Sequence, residues 1–103
     1  MKVVAYVPDL MDRSKVAAAP ADVTFVRQPG ELADAAASES ADLVVVDVTR
    51  PGAIEAVAGL STKVIAFSKH TNREAMDAAT AAGADQVLAR SAFFARINEL
   101  LGE

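Results

Sequence analysis

The chain has no cysteine and a single histidine. The first absence removes disulfides, thiolate nucleophiles and thiolate metal sites, although it does not by itself fix a compartment. The lone His70 has no companion at ligand spacing, so it reads as a surface-loop residue and not as a metal or relay centre. Positive charge is also scarce: ten Lys and Arg stand against fourteen Asp and Glu, for a net charge of −4. No basic cluster is present to neutralise phosphates, which argues against nucleic acid as a partner. No apolar run approaches a membrane span, and the run Val3–Val7 is too short for a signal peptide. No glycine-rich loop follows that run. Val7-Pro8-Asp9-Leu10-Met11-Asp12 fits neither a P-loop nor a dinucleotide fingerprint. It also lacks the hydroxyl-rich loop that an FMN phosphate requires. FMN, NAD and nucleotide are therefore not expected, and a cytoplasmic protein free of membrane is.

What is present suits one layered domain over 1–103. Apolar residues make up 52% of the 103 positions. Many are alanine, which buries little area, so the helices must lie close to whatever they cover. Val3–Val7, Val23–Val26, Asp42–Val48, Lys63–Ser68 and Asp85–Ala89 are short apolar runs rich in β-branched residues, and read as strands. Helical spacing fills the gaps. Leu10–Ala19 follows Asp9 as N-cap and stops at Pro20. Glu31–Ser40 turns Leu32, Ala35 and Ala36 inward. Gly52–Leu60 does the same with Ile54, Val57 and Ala58. Thr71-Asn72-Arg73-Glu74 fits a capping box for a helix to Ala82, with Gly83 at C′. Ser91 is placed to cap a last helix with Phe94, Ile97 and Leu101 as its stripe and Phe93 and Leu100 beside it. Strand and helix thus alternate five times with short links. That pattern predicts a parallel sheet with helices on both faces, a flavodoxin-like three-layer sandwich of strand order 2-1-3-4-5.

The central run is Leu43-Val44-Val45-Val46-Asp47-Val48, closed by Pro51. A strand apolar on both faces carries a carboxylate near its C-terminal end, where open α/β sheets bind ligands. The same sheet edge collects Asp9, Ser68 and Arg90 from the other strands. Two carboxylates can hold a hard divalent cation, and a hydroxyl with a cation can hold phosphoryl oxygens. Each residue alone has a plainer explanation: Asp9 as a helix cap, Ser68 as the start of a turn. Their meeting at one edge is what points to a site. Met11 and Met76 read as fillers of a core or helix face.

On these residues the chain resembles the receiver domain of response regulators, the CheY-like family. Asp47-Val48-Thr49-Arg50-Pro51 is similar to its acceptor aspartate followed by proline four places on. Phe67-Ser68 stands at its switch hydroxyl, Ala81-Ala82-Gly83-Ala84-Asp85 at its Ala-Gly-Ala turn, and Arg90 at its lysine. The resemblance implies phosphoryl transfer from a histidine kinase to Asp47. It also implies Mg²⁺ held by Asp9, Asp47 and the Thr49 backbone carbonyl, with Ser68, Lys69 and Arg90 on the phosphate.

The pattern is short and degenerate. Pro8-Asp9 supplies one acid where receivers have two, and Asp12 lies too far into its helix to replace the other. Arg90 brings a planar fork in place of a compact ammonium, Ser91 replaces a proline, and Lys69 replaces a small residue. The Asp47–Ser68 segment is also short. The expectation is a pseudo-receiver that acts through a protein partner without ordinary phosphorylation and is not an enzyme, with weak Mg²⁺ binding. The alternatives are a true single-domain response regulator and a small phosphotransfer or hydrolytic enzyme using the same pocket. Phe93 and Phe94 cannot both point fully inward, which suggests an interface and a homodimer.

Overall fold

The computed structural model describes residues 1–102. Five strands, β1 (Lys2–Tyr6), β2 (Asp22–Phe25), β3 (Leu43–Asp47), β4 (Val64–Ser68) and β5 (Gln86–Ala89), form one sheet in the order β2-β1-β3-β4-β5. Every neighbouring pair is parallel. Helices α1 (Leu10–Ala17), α2 (Leu32–Glu39), α3 (Ala53–Ala58), α4 (Arg73–Ala81), α5 (Arg90–Ala95) and α6 (Ile97–Leu101) connect or follow the strands. None is long and apolar enough to cross a membrane.

All five residues of β3 and all five of β4 are buried. Side chains alternate across a strand, and here the alternation separates two cores. Val4, Val44, Val46, Val64 and Ala66 pack with Leu32, Ala36, Ala53, Val57 and Ala79 of α2, α3 and α4. Val3, Val45, Ile65 and Phe67 pack on the other face with Val16 of α1, Phe93 of α5 and Leu101 of α6. Asp47 continues the Leu43–Val45 row and so belongs to the face that α1 and α5 cover. Ser68 continues the Val64–Ala66 row on the opposite face.

Register is pinned at the start of two strands. The Asp42 N–H donates to the Lys2 carbonyl at 2.8 Å, while the Lys2 N–H donates to Asp42 Oδ2 at 2.9 Å. Asp85 and Val64 repeat the arrangement at 2.9 and 2.8 Å. Each aspartate thereby satisfies backbone groups that the end of a ladder would leave unpaired. At the far end of β3, Pro51-Gly52 turns the chain back into α3, with Gly52 at φ 82°. That left-handed conformation suits glycine, which has no Cβ to clash.

Several local expectations are corrected. The side chain that caps α4 is Asn72, whose Oδ1 accepts the Ala75 N–H at 3.0 Å, and not Thr71. Gly83, at φ 110°, does end that helix region in the left-handed conformation. Ala58 is exposed, and Ala53 takes the inward place on α3 beside Val57. Ser91 caps nothing, because α5 already begins at Arg90. The last helix is two pieces broken at Arg96, with φ −112° and ψ 14°. A straight helix sets residues eight apart about 80° from each other. The break lets Phe93 and Leu101 both face the sheet, each fully buried.

The largest correction concerns the Phe pair. Phe93 is not an interface residue: its ring stacks on Phe67 at 4.9 Å between centroids. Phe94 is half-buried, set edge-on to both rings and flanked by Lys15 and Arg90. Truncating a buried aromatic loses its transfer energy and leaves a cavity, so Phe93→Ala is expected to cost about 3–5 kcal/mol. Phe94→Ala should cost clearly less, and urea denaturation of the two variants checks the order.

Candidate functional site

The register brings the polar strand ends into one place. Asp47 lies opposite Phe67, and Ser68 lies opposite Ala89, which Arg90 follows. Asp9, Asp47, Ser68, Lys69 and Arg90 all line one cavity of about 250 Å³ at this edge. Asp12, Thr49, Arg50 and Phe67 complete its wall.

Asp9 is both a cap and a cavity residue. Its Oδ1 accepts the N–H groups of Met11 and Asp12, each at 3.0 Å, and so satisfies two free amides of α1. The Asp12 amide is the chief cause of a carboxyl pKa below the ordinary value. The Met11 amide and the charges of Arg90 and Arg50 act the same way, against some desolvation.

Asp12 is the residue that sequence reasoning passed over. It lies in the first turn of α1, one turn beyond the cap, and is 2% exposed. Its partner is Arg90, seventy-eight positions away: Nε donates to Oδ2 at 2.9 Å and Nη2 donates to Oδ1. A guanidinium matches a carboxylate in this two-pronged way and a lysine ammonium does not. The bond from Asp12 raises the Arg90 pKa above its ordinary value against desolvation, with the charges of Asp12, Asp9 and Asp47 adding to the effect. The available signal was the pairing of two oddities, an arginine at position 90 and an aspartate one helical turn past the cap.

Asp47 is 4% exposed and its carboxylate is engaged on both sides. The Thr49 hydroxyl donates to Oδ1 at 2.6 Å and the Thr49 N–H donates to the same atom at 3.0 Å. The Arg50 Nε lies 3.6 Å from Oδ2. These contacts come from the next three residues, so a local turn that bonds an aspartate to its own backbone two places on brings them. Thr49, singled out for its carbonyl, thus also turns its hydroxyl and N–H onto Asp47.

Ser68 is fully buried, and its Oγ has no hydrogen-bond partner among the described residues. Lys69 is exposed and makes no ion pair among them. No group of three or more His, Asp or Glu side chains among the described residues is arranged to hold a metal ion.

Two consequences are measurable. Arg90→Met strands a buried carboxylate and should cost about 1–3 kcal/mol, with the half-exposed arginine favouring the lower part of that range. Asp12→Asn should cost less, because the freed guanidinium reaches water; urea denaturation at pH 7 gives the ranking. Asp9, with its depressed pKa, contributes fully above the ordinary carboxylate value of about 4 and loses that contribution as pH falls through the folded value. The stability gap between wild type and Asp9→Ala should therefore close on acidification below about pH 4, as read by thermal unfolding across pH.

No protein-family model and no curated protein matches this sequence. Solved structures do match. A response regulator from Thermotoga maritima is 17% identical, with a TM-score of 0.76, over 99% of this chain and 98% of the other. The BeF3-activated DrrB receiver domain is 20% identical with a TM-score of 0.74, over 99% and 97%. The Mn²⁺-bound response regulator Rcp1 is 13% identical with a TM-score of 0.66, over 96% and 90%. At these identities the likeness is one of architecture, and it extends along almost the whole of each chain. The chain has the CheY-like fold of response-regulator receiver domains.

Proposed function

We propose that this chain is a receiver-like signalling module, a single domain that acts by contact with a protein partner in the cytoplasm and without ordinary phosphorylation of Asp47. The observation behind this reading is the state of the Asp47 carboxylate. One oxygen already accepts two hydrogen bonds from Thr49, and the other faces Arg50. A carboxylate attacks phosphorus through a free lone pair; Oδ1 is taken by the Thr49 donors, and the Arg50 side chain stands beside Oδ2, where a phosphoryl group would have to approach. Arg90, the cation expected on a phosphoryl group, is instead committed to Asp12.

A divalent cation fits the residues present poorly. Mg²⁺ asks for close to six oxygen ligands in near-octahedral geometry. Asp9, Asp47 and the Thr49 carbonyl are the donors that would supply them. One oxygen of each aspartate is already bonded to donors, and Asp12 is held by Arg90. Among the structural neighbours one is activated by BeF3 and one binds Mn²⁺. The bonded oxygens and the facing Arg50 are the reasons for not extending either ligand to this chain. No enzymatic role is proposed; with Phe93 buried, Phe94 is the member of the pair that reaches the surface.

One observation favours the second reading, a true receiver phosphorylated on Asp47 by a histidine kinase. The Ser68 hydroxyl is buried without a partner among the described residues, an arrangement that costs about 1–3 kcal/mol. An oxyanion built on Asp47 would supply the missing acceptor. Incubation with acetyl phosphate and Mg²⁺ followed by intact-mass measurement separates the two. The expected result is unmodified protein. A phosphoryl adduct that disappears in Asp47→Asn would establish the second reading instead.

A further inference from the structure

The cavity is lined by three carboxylates, Asp9, Asp12 and Asp47, and by three cationic side chains, Arg50, Lys69 and Arg90. Asp12 and Arg90 neutralise each other directly. That leaves Asp9 and Asp47 at the acidic end, each with one oxygen already bonded to backbone or hydroxyl donors. Beside the remaining oxygen of Asp47 stands the Arg50 guanidinium, with Nε at 3.6 Å. Arg50 and Asp9 line the same cavity. One positive side chain therefore stands beside Asp47 in the cavity whose other unpaired carboxylate is Asp9.

We propose that Arg50 is a tethered monocation that takes the place of a divalent ion beside Asp47 in the cavity that Asp9 also lines, and that this side chain keeps Mg²⁺ and Mn²⁺ out of the cavity. The reasoning is local. Arg50 sits three residues after Asp47 in the turn that leaves β3, so its effective concentration at the site is high and independent of solution. An incoming divalent ion must displace it and then bind beside a second positive charge. With Arg50 removed, the same two carboxylates and the Thr49 carbonyl face a cavity large enough for a cation that keeps several of its waters. Arg50 is 42% exposed, so its truncation does not open the core.

The inference extends the functional reading above to the metal dependence of the same cavity, and its test is separate. Mn²⁺ alone is titrated into the full chain, followed by calorimetry and by water-proton relaxation, for wild type, Arg50→Ala, Arg50→Gln, Arg50→Lys and the double variant Arg50→Ala/Asp47→Asn. Wild type and Arg50→Lys should show no saturable binding up to about 10 mM, weaker than ordinary carboxylate sites of the millimolar class. Arg50→Ala and Arg50→Gln should each gain one site at least about tenfold tighter, and Mn²⁺ should raise their melting temperature. The double variant should lose that gain. Equal affinity in wild type and Arg50→Ala would overturn the inference, and so would a gained site that survives Asp47→Asn. A phosphoryl adduct in the mass experiment, with the metal ranking as expected, would overturn the functional reading alone.

Discussion

A parallel sheet buried on both faces has room for polar side chains only at its ends, and the rest of this structure follows from that constraint. Strands β3 and β4 are buried along their whole length, so no interior position can carry an unpaired charge without a large desolvation cost. The backbone polar groups are consumed by the ladder, and the two aspartates that open β3 and β5 extend that pairing at the amino edge. At the carboxyl edge the strands finish side by side. Asp47, Ser68 and Arg90 therefore share a cavity although long stretches of sequence separate them.

Within that cavity the chemistry is set by who neutralises whom. Asp12 and Arg90 form a two-pronged pair across the α1–α5 face, and Asp47 is satisfied by the turn that follows it. A pair of this kind contributes little net stability, because removing both charges from water costs about as much as their attraction returns. Its effect is on specificity: it commits Arg90 and Asp12 to each other. Most of the charges in the cavity are thus matched from within. Lys69 and the buried Ser68 hydroxyl, neither with a polar partner among the described residues, stand outside that internal balance.

The fold was legible because strand and helix signals are local and mutually consistent. Apolar runs of strand length, separated by helical spacing and closed by Pro8, Pro20, Pro29 and Pro51, leave few other layered arrangements. Boundaries and caps were less legible. Thr71 and Asn72 are both good cap residues, and the choice between them rests on backbone angles that no single residue dictates. Phe93 and Phe94 are adjacent on one helix, and helical spacing alone favoured the wrong one. The break at Arg96 rotates Phe93 onto Phe67 and leaves Phe94 at the edge of the same cluster.

By itself the sequence determined the layer order, the strand that carries the central carboxylate, and the set of polar residues that the topology would carry to one edge. These depend on periodicity and chain direction, which are properties of neighbouring residues. The tertiary structure alone decided which side chain pairs with which. Asp12 meets Arg90 only because α1 and α5 are packed on the same face of the sheet, and two residues seventy-eight positions apart leave no mark of that packing in either local pattern. Arg50 and Thr49 lie next to Asp47 in sequence, yet whether they turn toward the carboxylate or toward water depends on the path of the chain leaving β3. Ionic partnerships at short range are decided by geometry of a few ångströms, and that geometry exists only once the layers have closed.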